Sequence, residues 1–151
     1  MAKFAVDFQR TASTTGTLGS VGAVSTTQAR RGRIYDIMLG SEATPADAAI
    51  LWGMRRYTAA GTSTAVVPQA LDAADAAFLG QAGENHTIEP TYAAGLNILN
   101  VPVNQRATFR WVAAPGGELV WPATTANGFG LETDTISTGT PVITATFHVD
   151  E

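Results

Sequence analysis

The chain has 151 residues, no Cys, and 9 Lys and Arg against 13 Asp and Glu, giving a formal net charge of −4. The length suits one domain, the missing Cys excludes disulfides, thiol nucleophiles and zinc-thiolate sites, and the acidic balance argues against a general nucleic-acid binder. Charged residues make up 15% of the chain, below the roughly 25% usual for soluble domains. Thr, Ser, Asn and Gln must therefore supply much of the polar surface, a composition suited to sheets or to a crowded assembly.

In residues 3–10, Phe4, Val6 and Phe8 share one face and Lys3, Ala5, Asp7 and Gln9 the other. This period-two pattern predicts a half-buried strand. The same residues lack the apolar core of a signal peptide, so a protein that folds in the cytosol where it is made is expected. Residues 16–28 are rich in Gly, Ser and Thr and read as a loop, an extended arm or a weak strand. Within a single domain spanning 1–151, residues 11–30 are the expected N-terminal arm or loop.

Residues 33–39 and 50–57 are apolar on both faces and predict central strands. Pro45 stands where a short helical turn would begin between them. Residues 58–68 and 81–91 read as long functional or partner-facing loops. Between these, residues 71–79 have helical propensity, with Leu71, Ala74 and Phe78 at helical spacing, but are too few to stand alone. Residues 96–103 predict a strand that Pro102 confines to an edge or a bulge.

In residues 108–113, Phe109, Trp111 and Ala113 oppose Thr108, Arg110 and Val112, and Ala114-Pro115-Gly116-Gly117 predicts a hairpin to a strand at 118–121. Residues 142–149 turn Ile143, Ala145, Phe147 and Val149 one way and Thr144, Thr146 and His148 the other. Short strands with Gly/Pro turns and no internal repeat predict an all-β fold. Its expected form is an antiparallel β-sandwich, jelly-roll or Greek-key like, with long loops and at most a short helical turn. No stretch approaches the roughly 20 apolar residues of a membrane span, so no membrane partner is expected.

Little in the sequence points to chemistry. Glu84, His86 and Glu89 are the nearest approach to a metal-ligand set, but their spacing matches no recognised motif, and a hydrogen-bonding loop His is the plainer reading. His148 alternates outward as a sheet-surface residue. There is no G-x-S-x-G elbow, P-loop or dinucleotide fingerprint. Carboxylate pairs such as Asp72 with Asp75, or Glu132 with Asp134, read as solvated. No enzyme activity, cofactor or metal is expected.

Arginines are the chain's distinctive polar feature. They cluster at Arg30, Arg31 and Arg33, at Arg55 and Arg56, and at Arg106 and Arg110 beside Trp111. Without interleaved aromatics they are too thin for nucleic acid. They suit subunit contacts, with stacking on Trp52 or Trp121 open to them, and decoration of sheet edges fits equally well.

Three segments carry a resemblance. RGRIYDIMLGSEATPADAAILW (31–52), AAGTSTAVVPQALDAADAAFLGQAGENHTIEPTYAAG (59–95) and NQRATFRWVAAPGGELVWPATTANGFG (104–130) resemble structural proteins of siphovirus-like tailed bacteriophages. The resemblance implies a virion protein, in particular a head decoration or cement protein. Such a protein binds the major capsid protein as a homotrimer on the capsid surface and stabilises the assembled lattice. The resemblance brings no set of functional residues, so the seven arginines above are the expected subunit or capsid contacts. The Gly/Ser/Thr-rich N-terminal stretch is then an arm reaching a neighbouring capsomer. The alternatives are a tail, neck or receptor-binding virion subunit, and a carbohydrate-binding β-sandwich module using Trp52, Trp111 or Trp121 as a platform. The alternation turns at least two of these tryptophans inward.

Overall fold

Alternating apolar side chains need a second apolar face to cover them, and two sheets supply it to each other. The computed structural model describes residues 1–11, 16–24, 29–95, 97–133 and 138–151. These residues form thirteen strands: β1 (Lys3–Thr11), β2 (Gly16–Gly22), β3 (Gly32–Glu42), β4 (Ala49–Ala59), β5 (Thr62–Ala65), β6 (Gln69–Ala70), β7 (Gln81–Ile88), β8 (Thr91–Tyr92), β9 (Leu99–Asn104), β10 (Phe109–Val112), β11 (Leu119–Trp121), β12 (Gly128–Thr133) and β13 (Val142–Asp150). Among the described residues there is no helix, and so none long and apolar enough to cross a membrane.

The first sheet runs β10–β3–β13–β1–β6, with β11 continuing the β10 side of β3. The second runs β5–β7–β2–β12–β4, with β8 and β9 end to end along the far edge of β4. All pairings are antiparallel. Setting aside β5 to β8, and joining β10 with β11, the strands pair outermost with outermost. β1 lies on β13, β2 on β12, β3 on β10 and β11, and β4 on β9. Successive pairs alternate between the sheets, which is the order of a jelly roll.

The core forms where the alternation predicts. Phe4, Val6, Phe8, Ile143, Ala145, Phe147 and Val149 are buried and face Leu18, Val21, Ile50, Trp52, Met54, Phe129 and Leu131 of the other sheet. The rings of Phe8 and Phe147 meet edge to face at 5.1 Å.

Several expectations are corrected. Residues 16–22 of the expected arm are β2, an interior strand between β7 and β12. Its small residues serve packing: a Cβ on Gly19 would lie 2.2 Å from the Phe8 ring. Residues 12–15 and 25–28 of that arm lie outside the described residues. The expected loops at 58–68 and 81–91 contain β5 and β7, which pair as an edge of the second sheet.

The expected hairpin is absent. β10 and β11 do not pair with each other; Phe109–Val112 and Leu119–Trp121 lie on successive stretches of β3, registered on Leu39 to Asp36 and on Ile34 to Gly32. One edge strand is interrupted, and the intervening loop is closed by a Gly117 amide donating to the Ala114 carbonyl at 2.8 Å. Residues 71–79 form a turn instead of a helix. Asp72 accepts from the Ala74 amide through Oδ1 and from the Asp75 amide through its carbonyl, the side-chain competition by which Asp favours turns.

Candidate functional site

β11 is 3 residues long and forms a rim of the first sheet, paired only to β3. Three arginine side chains and one arginine carbonyl lie about it. Arg33 stands opposite Val120 in the ladder. Its Nε reaches both oxygens of Asp150 at 2.7 and 2.9 Å, and its Nη1 lies 3.6 Å from Glu118. The hydrogen bond to Asp150, then its charge, raises the Arg33 pKa further. Arg56 arrives from β4 of the other sheet: its Nη1 donates to the Val120 carbonyl at 2.8 Å, and its guanidinium lies 4.7 Å from the Phe129 ring centroid.

The Arg30 carbonyl accepts the Trp121 indole N–H at 3.1 Å, which fixes the backbone while the side chains of Arg30 and Arg31 remain exposed. Arg31 and Arg33 line a cleft of about 490 Å³ with Gly116, Glu118 and Val120. Among the described residues, Arg30, Arg31 and Arg56 make no ion pair. A guanidinium positioned by a carbonyl or a ring keeps its full charge and several free N–H groups. The rim is therefore locally basic on a chain whose net charge is −4.

Further along the same rim, β10 is pinned by a buried carboxylate. Arg110 binds Asp36 bidentately, Nε to Oδ1 at 3.0 Å and Nη2 to Oδ2 at 2.6 Å, and His148 Nδ1 donates to Oδ2 at 3.0 Å. A bulge between His148 and Val149 lets β3 present Asp36 to this face. The Arg110 hydrogen bond, helped by that of His148 and opposed by burial, holds the Asp36 carboxyl below its usual range. Tyr35 stacks on the His148 ring at 6.0 Å, with the Lys3 ammonium 5.5 Å from the Tyr35 centroid. Both Asp36 oxygens are committed to N–H donors, so the group anchors a strand and is poorly placed to accept a proton.

A second cleft, of about 400 Å³, lies on the outer face of the second sheet between Leu51, Gly53, Arg55, Glu89, Asn97 and Glu132. Arg55 Nη1 is 3.1 Å from Glu132 Oε2, and its guanidinium lies 4.5 Å from the Tyr92 ring centroid. Tyr92 lies across Gly130, where a Cβ would come within 2.3 Å of its hydroxyl. Burial raises the Tyr92 pKa and keeps the phenol protonated. Among the described residues, stacked arginines thus occur on Tyr92 and Phe129, not on Trp52 or Trp121, both of which are buried in the core.

The remaining expected site residues disperse. Glu84 accepts from the Gln9 amide, His86 Nε2 bonds the Ser20 hydroxyl, and Glu89 accepts from the Thr17 amide. The three point to separate partners, and no group of three ligating side chains gathers among the described residues. Arg106 is exposed in the turn after β9, its backbone amide donating to Asn104 Oδ1. Sequence reasoning picked the arginines but missed Asp36, Asp150 and the Val120 carbonyl. Asp36 and Asp150 stand 74 and 117 positions from their arginines, and cross-strand pairing leaves no short-range signal.

No family model, curated protein or solved structure matches the chain. What fold and site define is a jelly-roll sandwich with an arginine-bearing rim.

Proposed function

We propose that this chain is a head decoration, or cement, protein of a tailed bacteriophage, docking as a homotrimer on the lattice of the major capsid protein and stabilising it. The observation that carries the reading is the β11 rim. Arg30, Arg31 and Arg56 are unpaired among the described residues, and Arg56 is held in place by a carbonyl and a ring, a preordered cationic edge fitted to carboxylates on another protein. The resemblance of the segments 31–52, 59–95 and 104–130 to virion structural proteins supports the choice of partner. A small rigid module used at many equivalent sites gains firm attachment from avidity when it binds as an oligomer.

The test is to mix the purified chain with bare capsid shells. Saturation in simple ratio to the capsid lattice, with a rise in the temperature at which shells dissociate, is the expected result. Binding at only a few places per particle, or none, transfers the protein to the tail or neck.

A second reading, a glycan-binding or receptor-binding module, is favoured by the cleft beside Arg55 and Glu132, whose planar polar groups match the paired hydroxyls of a sugar. Glycan-array binding abolished by Arg55→Ala in a folded protein would select it.

A further inference from the structure

We propose that copies of this chain join head to tail, the loop at residues 71–79 of one copy seating in the arginine-lined cleft at the β11 rim of the next, and that the contact closes a ring. The inference rests on the homotrimer in the proposed function and assigns the surfaces that make it.

The loop is an acidic and apolar surface without a cover. Leu71 is 53% exposed, Leu79 45% and the nearby Val67 75%. Asp72 and Asp75 are exposed and make no ion pair among the described residues. Large apolar side chains left this exposed at the two ends of one short loop are surface that a partner could cover. The loop is also held in shape. The Leu71 amide donates to the Lys3 carbonyl at 2.8 Å, the Leu79 amide to Glu151 Oε1 at 2.5 Å, and the Phe78 ring packs on Phe4 at 5.1 Å. Little ordering entropy is then lost when it docks.

The cleft, of about 490 Å³, offers the complement in Arg31, and Val120 supplies apolar surface. Its other charged side chains, Arg33, Glu118 and Asp150, are paired with one another. That leaves Arg31, with exposed Arg30 beside it in the chain, as the cation free of an ion pair among the described residues. The two surfaces leave from different rims of one sheet. β6, which leads into the loop, and β11 are opposite rims of the first sheet, four strand spacings or about 19 Å apart. Both nevertheless lie at one end of that sheet. Phe4 pairs with Ala70, Lys3 and Arg33 both pair with Asp150, and Gly32 pairs with Trp121. Two different patches make the contact heterologous, and such a contact forms a ring where the rotation between copies closes and a filament where it does not; the homotrimer of the proposed function selects the ring.

The test measures the mass of the chain in solution by light scattering and native mass spectrometry. Arg30→Glu with Arg31→Glu reverses the rim without removing a side-chain hydrogen bond among the described residues. Asp72→Asn with Asp75→Lys reverses the loop, and Asn retains the acceptor of the turn. The wild type is expected to be a closed oligomer, each pair to weaken assembly at least about tenfold, and the four substitutions together to restore it. Raising salt from about 0.1 M to 1 M, which shortens the screening length from about 10 to 3 Å, should also weaken the wild-type ring.

A monomeric wild type, an oligomer indifferent to both pairs and to salt, or a folded fourfold variant that stays monomeric would each overturn the proposal. A monomer that still coats shells retires the ring and leaves the cement reading standing; a charge-dependent ring that ignores shells does the reverse.

Discussion

At Gly19 and Gly40 the same substitution should have opposite effects. A Cβ on Gly19 meets three Phe8 ring atoms at 2.2 to 2.5 Å, whereas one on Gly40 meets nothing closer than Thr108 Cγ2 at 3.5 Å. Gly19→Ala should therefore cost about 1–3 kcal/mol by overpacking. Gly40→Ala should be neutral or stabilise by up to about 1 kcal/mol, since it only restricts the unfolded chain. Urea midpoints decide both. Asp36 sets a pH dependence. Arg110 and His148 hold its carboxyl below the usual value, so the folded chain binds fewer protons there than the unfolded chain. The stability it contributes is complete above the unfolded carboxyl value of about 4, and drains away as pH falls through the lower folded value. Asp36→Asn should flatten the fall in urea midpoint below about pH 4; an unchanged slope would show that another carboxylate is responsible. Of this site the sequence revealed the arginines, because their type and clustering are local, but not the acids that hold them.

At the scale of elements, legibility followed burial on one face. β1, β10 and β13 were readable because large apolar residues alternate with polar ones, and β9 because Pro102 has no N–H to give on its unpaired side. β2 was not, because its core-facing positions include glycine, which carries no apolar signature although Phe8 requires it. β5 and β7 were hidden for a related reason, their polar residues lying at a sheet edge and on an outer face. β10 and β11 were found as strands but mispaired, since a Pro-Gly-Gly run closes a protruding loop as readily as a hairpin. These differences change the meaning of the N-terminus. β1 lies between β13 and β6, and β2 between β7 and β12, so removal of residues 1–28 takes an interior strand from each sheet. The truncated chain should fail to give a sheet-type circular dichroism spectrum or a cooperative melt. A folded truncation that had merely lost affinity for shells would restore the idea of a detachable arm.

At the scale of the molecule, the jelly roll pairs the first strand with the last, so the first sheet is not complete until β13 is in place, nor the second until β12 is. β13 fills the gap between β1 and β3, and the residues it buries touch the core shared with the second sheet. Such long-range pairing predicts refolding in about milliseconds to seconds, slower than helical proteins of this size. It also predicts that neither sheet survives alone, because each uses the other as the cover for its apolar face. The chain carries its own reporters. Trp52, 3% exposed, lies in β4 of the second sheet, and Trp121, 1% exposed, in β11 of the first. Two variants that keep only one of these, with the other tryptophans replaced by Phe, would each report on one sheet. Within each variant, the fluorescence midpoint in urea should coincide with that from circular dichroism, which follows both sheets together. The internal comparison matters because replacing a buried tryptophan lowers stability by an amount that differs between variants. If Trp121 fluorescence changed before the dichroism while Trp52 fluorescence changed with it, the rim would be opening ahead of the core. The unpaired arginines would then sit on a locally yielding edge, and the preordered cation surface on which docking depends would not be preordered.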